Sequence, residues 1–413
     1  MIHSADQWLF VLRRHQIRDQ RGLWINSFLR QLAFALVGMF SAVFVYEFGK
    51  TGLMDGGVAG GLKLLMVYVL LIRLVILLLV IWVGNYVIRR LGYRKSVMLS
   101  LVITSLGFGF LAWASRSGEL AGVVLGAVMI GLGVCGYWPM WYTLMPESET
   151  EERMGRAFGK INVVVSISQA LAPVAAAVII GSLGFDKLFG VGIGLLMMSG
   201  LPMFFLRHHI HVDEVNWREF FYWSRESTFL QAGVAIGGKY VNDMVYADLW
   251  PIYLLIVVGS INNLGWFKAV VVLAGAGFAY LMANLFDKKA DKKLQLLGVS
   301  GNMLMWVLRL WPKEPLQLLM IDGVDRFFGS ITETFFQGYA LRRAKGPETF
   351  SFAVYRLVWE SFWGVVTLVV LWMGLSWFGV TVFWVMAMAM AAVGMAMSMM
   401  MREHHKQALG VSS

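Results

Sequence analysis

Four apolar stretches of this chain carry acids and bases where a bilayer would exclude them. Arg73 lies in the first; Lys239, Asp243 and Asp248 in the second; Asp322, Asp325, Arg326 and Glu333 in the third; Arg356 and Glu360 in the fourth. A charge at the centre of a membrane helix costs about 2.5–3.5 kcal/mol on insertion scales. Such residues therefore face the protein interior, pair, or do work. Lys239 and Asp243, Asp322 and Arg326, and Arg356 and Glu360 are each four residues apart, so each pair shares one helix face. Glu333 and Arg356 lie at a similar depth, about 10 Å from the inner end of their helices at 1.5 Å per residue. Arg73 and Asp248 are matched in the same way from the outer side. A carboxylate beside a cation stays charged, and one that loses its cation takes up a proton. Asp243, Asp325 and Glu333 are the candidates for such a proton site. The alternative is a set of static ion pairs that fix helix packing.

A second set of residues is aromatic. Tyr137-Trp138-Pro139-Met140-Trp141-Tyr142 ends one apolar stretch, and Tyr246 and Trp250 lie in another. Rings in a cavity can stack on or cage an apolar or cationic solute. Rings at this depth also suit an interfacial aromatic belt. Pro251 is expected to kink or break its helix.

The elements that must carry these residues follow from composition. Of 413 residues, 58% are hydrophobic and 15% charged, whereas soluble domains carry about 25% charge. Lipid is the expected solvent, and a span needs about 20 apolar residues. Twelve spans are read at about 26–48, 62–88, 96–115, 119–144, 157–181, 188–206, 228–257, 264–286, 294–311, 316–340, 350–375 and 379–401. With both termini in the cytoplasm, the inside loops hold 23 basic residues and the outside loops 5. That bias matches the positive-inside rule, and it accounts for the net charge of +10 without nucleic acid. A multi-pass inner (plasma) membrane protein is expected. Residues 1–24 read as an amphipathic segment on the inner surface, with no cleavable signal peptide. The single cysteine, Cys135, excludes an intrachain disulfide or a cysteine metal site. His208, His209, His211, His404 and His405 are read as solvated rather than metal-binding. No phosphate-binding Gly-x-x-x-x-Gly-Lys-Ser/Thr loop occurs, so ATP hydrolysis is not expected and no cofactor is assigned.

The chain repeats itself. Arg89-Arg90-Leu91-Gly92-Tyr93-Arg94-Lys95 follows span 2, and Asp287-Lys288-Lys289-Ala290-Asp291-Lys292-Lys293 follows span 8, an offset of 198 residues. The fold class read from this is an all-α integral membrane protein with twelve transmembrane helices in two pseudo-symmetric six-helix halves. The halves are 25–206 and 227–402, joined by a cytoplasmic linker, 207–226, and followed by a tail, 403–413.

Parallel six-helix halves are the plan of the major facilitator superfamily, and the first loop resembles that family's signature, Gly-x-x-x-Asp-Arg-x-Gly-Arg-Arg/Lys. Arg90, Gly92, Arg94 and Lys95 match, whereas Asn85 replaces the Gly and Arg89 the Asp; the second copy keeps an acid, Asp287. Gly155-Arg156-Ala157-Phe158-Gly159 resembles the start of the family's fifth helix. Gly159, Ser168, Ala172-Pro173 and Ala176 fall at the spacing of its antiporter motif, with small residues for three glycines. The resemblance implies alternating access about a cavity lined by spans 1, 4, 7 and 10. In the family the loop Asp latches the inner gate against a helix N-terminus. Arg89 cannot do so, and the latch is expected on Asp287, with Lys288 and Lys292 beside it. The expected function is a proton-coupled secondary transporter of a small solute, leaning slightly to efflux, with no enzymatic activity, and monomeric. An uptake carrier or facilitator of the same fold, or a non-transporting sensor or assembly protein, are the alternatives. Outer loops this short argue against a membrane enzyme.

Overall fold

The computed structural model describes residues 2–51, 56–148, 170–205, 212–286, 292–312, 314–344 and 349–401. These residues are almost wholly helical and include no strand, as a chain in hydrocarbon requires, because each backbone N–H and C=O must be bonded within its own segment. In order they form α1 (Ile2–Lys50), α2 (Gly57–Trp82), α3 (Arg89–Ser117), α4 (Leu120–Ser148), α5 (Ala170–Leu183), α6 (Phe185–Gly200) and the short α7 (Trp217–Trp223). Then come α8 (Ser227–Met244), α9 (Trp250–Val258), α10 (Ile261–Phe286), α11 (Lys292–Leu308), α12 (Pro315–Ala344) and α13 (Thr349–Ser398). Wider π-helical turns, Val83–Ile88 and Val245–Leu249, join α2 to α3 and α8 to α9. Pro251 sits just inside α9, where its missing N–H costs nothing.

Six stretches are long and apolar enough to cross a membrane: Gly22–Lys50, Gly57–Ser117, Leu120–Leu144, Phe185–Phe204, Ser227–Val258 and Thr349–Ser398. The chain is a multi-pass membrane protein. The count of twelve spans is not confirmed by the described helices. Gly57–Ser117 runs for 61 residues and Thr349–Ser398 for 50, and each breaks at one left-handed glycine, Gly92 (φ 75°) or Gly379 (φ 81°), where the boundaries between spans 2 and 3 and between spans 11 and 12 were expected. A side chain is strained in that conformation, which is why glycine makes these breaks. The expected spans 9 and 10, α11 and α12, fall outside the apolar set; α12 carries Asp322, Asp325, Arg326 and Glu333. The N-terminal segment is helical and continuous with the first span, in one helix from Ile2 to Lys50.

Within residues 25–206, α3 packs on α4 and α6, and α1 on α2 and α6; after 227, α12 packs on α10 and α11, and α13 on α8 and α11. Contacts between these groups run from α13 to α2 and α4, and from α1 to α9. Small residues set the closest approaches, as between membrane helices generally. Pro173 and Ala177 of α5 meet Gly265 of α10, where an added Cβ would lie 2.7 Å from both the Pro173 carbonyl and the Ala177 methyl. Gly159 and Ser168 of the same motif lie outside the described residues. On α8, Gly233 and Gly237 seat the indoles of Trp359 and Trp363.

The tightest backbone crossing joins α8 and α13. A Cβ on Gly238 would stand 2.5 Å from the Gly394 carbonyl oxygen, and one on Gly394 would stand 2.5 Å from that of Gly238. Backbone cannot swing aside as a side chain can. Gly238→Val and Gly394→Val are therefore each expected to cost about 1–3 kcal/mol by overpacking, read as a lower Tm of the purified protein, while Gly109→Val, in open space, leaves Tm unchanged.

Candidate functional site

Lys239, buried on α8, donates to Asp243 one turn on, at 2.5 and 2.7 Å, and to Glu333 of α12 at 2.8 Å. Gln337 Nε2 donates to the other Glu333 oxygen at 2.8 Å, and Gln337 Oε1 accepts from Arg356 Nη1 of α13 at 3.4 Å. Arg356 Nε in turn donates to Glu360 at 2.8 Å. One polar chain thus links three helices. Its lysine side chain is 8% exposed, whereas its carboxylates Asp243 and Glu333 are 51% and 43% exposed. Both acids bond to a lysine held between α8 and α12, so they open into the space between helices. Three acids and two bases compose the chain, one carboxyl more than the cations can match.

Aromatic rings continue this chain to α4 and α1. The Arg356 guanidinium lies 4.0 Å from the Tyr142 ring, and Tyr142 stacks on Trp138 at 5.3 Å. Trp138 meets Tyr137 and Trp141 edge-on. Tyr137 and Tyr142 are buried, so these rings pack inside the bundle rather than in a belt. Their polar ends are tied to α1: Tyr137 Oη donates to Asn26 at 2.9 Å and Trp141 Nε1 to Ser27 at 3.1 Å. Arg30, one turn beyond Asn26, lies 3.8 Å from the Tyr137 ring, 4.4 Å from Phe34 and 4.8 Å from Trp138. Arg30 is 5% exposed.

A second cluster lies on α9, α11 and α12. Arg309, wholly buried, donates to Asp322 at 2.7 and 3.0 Å and to Asp325 at 2.8 Å. Trp250 Nε1 supplies the other Asp322 oxygen at 2.8 Å, and Asn302 the other Asp325 oxygen at 2.7 Å. Asn242 bonds Asn302 in turn at 3.2 Å. Asp322 therefore pairs with Arg309 on the neighbouring helix rather than with Arg326 on its own. Arg326 sits instead over Tyr246 at 4.6 Å, and Lys268 of α10 over the same ring at 4.5 Å. Trp250 and Asp325 belong to this packed cluster. Arg73 rests on Tyr240 at 4.4 Å, with Asp248 facing it electrostatically.

The residues of the loop between the second and third spans behave differently from a charge latch. Arg89 pairs with Glu214 of the linker at 3.0 Å. Asn85, at the signature's Gly position, accepts from Val215 N at 2.9 Å and donates to the Val215 carbonyl. Four residues on, the Tyr355 hydroxyl of α13 donates to Glu219 at 2.9 Å. The linker is thereby strapped across the ends of α2 and α13. Arg90 lies over Tyr86 and Arg94 over Phe204, while Lys95 is exposed. Asp287 and Lys288 lie outside the described residues, as do the five histidines and Gly155 to Gly159; Lys292 begins α11.

Arg30, Lys268, Arg309 and Gln337 escaped the sequence reading. The first three were visible as lone bases inside apolar runs, the pattern that marked Arg73. Gln337 carries no charge, so nothing set it apart from its sequence neighbours.

Removing one member of a buried ion cluster strands the others at about 3–5 kcal/mol. Arg309→Met should therefore lower Tm steeply, and Asp322→Asn with Asp325→Asn added to it should recover part of the loss, measured by thermal unfolding in detergent.

No family profile and no curated protein sequence matches the chain. Its backbone is similar to the crystal structure of the human organic anion transporter MFSD10 (TETRAN), over 93% of this chain and 99% of that one, with a TM-score of 0.64 and 12% identity. At that identity the likeness concerns the fold. The helices that carry both charge clusters and the aromatic rings are thus arranged in the same fold as that structure.

Proposed function

We propose that the chain is a secondary active transporter that moves a small solute by alternating access and couples that movement to protons at Asp243 and Glu333. The single carrying observation is the polar chain from Asp243 to Glu360, with its surplus carboxyl and its sealed lysine. Lys239 is the one cation that both Asp243 and Glu333 touch. A proton on Glu333 frees Lys239 for Asp243 and unfastens α12 from α8. A proton on Asp243 does the reverse. The groups facing this pair from neighbouring helices are Arg356 and Glu360 of α13 and Tyr142 of α4. Protonation is thus tied to a contact between moving helices, which is what coupling requires.

In this reading the halves 25–206 and 227–402, six helices each, rock about a site between α1, α4, α8 and α12. The packing of each group of helices on itself supports the division. The close contact of Pro173 and Ala177 with Gly265 favours the antiporter-like arrangement and hence efflux. We place the chain as a monomer in the inner membrane with both termini in the cytoplasm, on the loop charges. Arg90, Gly92, Arg94, Lys95, Asp287, Lys288 and Lys292 serve the inner gate, and the linker strap through Arg89–Glu214 takes the place of the missing loop acid.

Everted vesicles given a panel of labelled organic acids, bases and neutral metabolites under an imposed pH gradient test this. At least one class should accumulate, and Asp243→Asn or Glu333→Gln should reduce gradient-driven accumulation at least tenfold while solute exchange persists. Full accumulation in both variants would remove the proton assignment, and no accumulation of any class would remove the transport reading.

A further inference from the structure

We infer that Arg30 binds the anionic group of the transported solute, an amphipathic organic anion whose ring system rests on Trp138 and Trp141. This rests on the transport reading above and narrows it to a substrate class.

The bases inside the bundle differ in how their charge is balanced. Lys239 has two carboxylate partners, Arg309 two and Arg356 one. Arg73 faces Asp248, and Lys268 and Arg326 lie in the field of Asp322 and Asp325. Arg30 has none: its guanidinium makes no hydrogen bond or ion pair among the described residues, and the groups that act on it are Tyr137 and Tyr142. A buried cation in a membrane protein is retained where it pairs or works. No carboxylate among the described residues answers it, and an anion from outside the chain would.

Geometry agrees. Rings cover the guanidinium on Tyr137, Phe34 and Trp138. Stacking uses the flat faces of a guanidinium and leaves its N–H edge free for bidentate bonding to an anion. Arg73 Nε, Arg309 Nη1 and Arg326 Nε are sealed without partners, whereas no Arg30 nitrogen is, so its donors reach open space. The wall is held in place, since Asn26 anchors Tyr137 and Ser27 anchors Trp141. Trp138 and Trp141 are half-buried and form the aromatic wall on which the apolar body would rest. Through Trp138, Tyr142 and Arg356 the site adjoins the proton chain, so solute and proton would be sensed by one connected set of groups.

The test uses three probes of one shape in detergent-purified full-length protein: 2-naphthoate, neutral 2-naphthol and the cation 2-naphthylmethylammonium. Binding is read by tryptophan quenching and by the rise in Tm. The anion should bind at least tenfold more tightly than the other two. Arg30→Gln should lose that preference, and Arg30→Lys should keep it at reduced affinity. Ligand-free Arg30→Met should be no less stable than the parent, because it removes an unpaired charge. Equal binding of all three probes to the parent, or undiminished naphthoate binding in Arg30→Gln, would overturn the assignment; so would a ligand-free Arg30→Met of clearly lower Tm, which would make Arg30 a packing residue. The probe ranking of the parent protein decides even if a variant fails to fold. These readouts need no pH gradient, so naphthoate held by Arg30 without accumulation in vesicles would count against transport alone.

Discussion

Charge in hydrocarbon has to be answered by an opposite charge, a dense set of donors, or water, and the interior of this bundle is organised around those answers. Three are in use at once. Arg309 takes two carboxylates whose remaining oxygens are filled by Trp250 and Asn302, so both acids are hydrogen-bonded with almost nothing exposed. Lys239 also takes two carboxylates, but these stay open on one side. Arg30 takes aromatic faces alone. A cation–π contact contributes about 0.5–2 kcal/mol, which softens the burial of a guanidinium without using its donors.

Those differences divide labour along α12. Asp322 and Asp325 fasten one part of it to Arg309, and Glu333, about two to three turns further on, touches the open lysine. Asp322 and Asp325 are closed around a buried arginine, whereas Asp243 and Glu333 share one lysine and stay half-exposed. On the function proposed above, α12 is anchored at one place and released at another, which is how a rigid helix turns a local protonation into a displacement.

Helix packing serves the same arrangement. Glycines and alanines bring α8 against α13 and α5 against α10 closely enough that backbone meets backbone, and bulky indoles fill the grooves that Gly233 and Gly237 leave. The linker adds a strap between the ends of α2 and α13, built from Asn85, Arg89, Val215 and Tyr355. Where a family resemblance led one to seek an acid, a charge-reversed pair, Arg89 with Glu214, stands in its place.

Composition and the run lengths of apolar residues were enough to put the chain in lipid as a bundle of helices, because the cost of exposed backbone in hydrocarbon leaves no other solution. Helical spacing was likewise enough to pair Lys239 with Asp243 and Arg356 with Glu360, since residues four apart share a face whatever surrounds them. The number of spans was not legible: the boundaries at Gly92 and Gly379 fell where expected, but α11 and α12 are too short or too charged for run length to define them. Partners on different helices were hidden as well. Asp322 had a base four residues away and took Arg309 instead, Glu333 reached Lys239 across the bundle, and Arg30 was left with rings rather than an acid. Local spacing is a property of one helix, whereas the pairing of buried charges is settled by which helices the fold brings side by side.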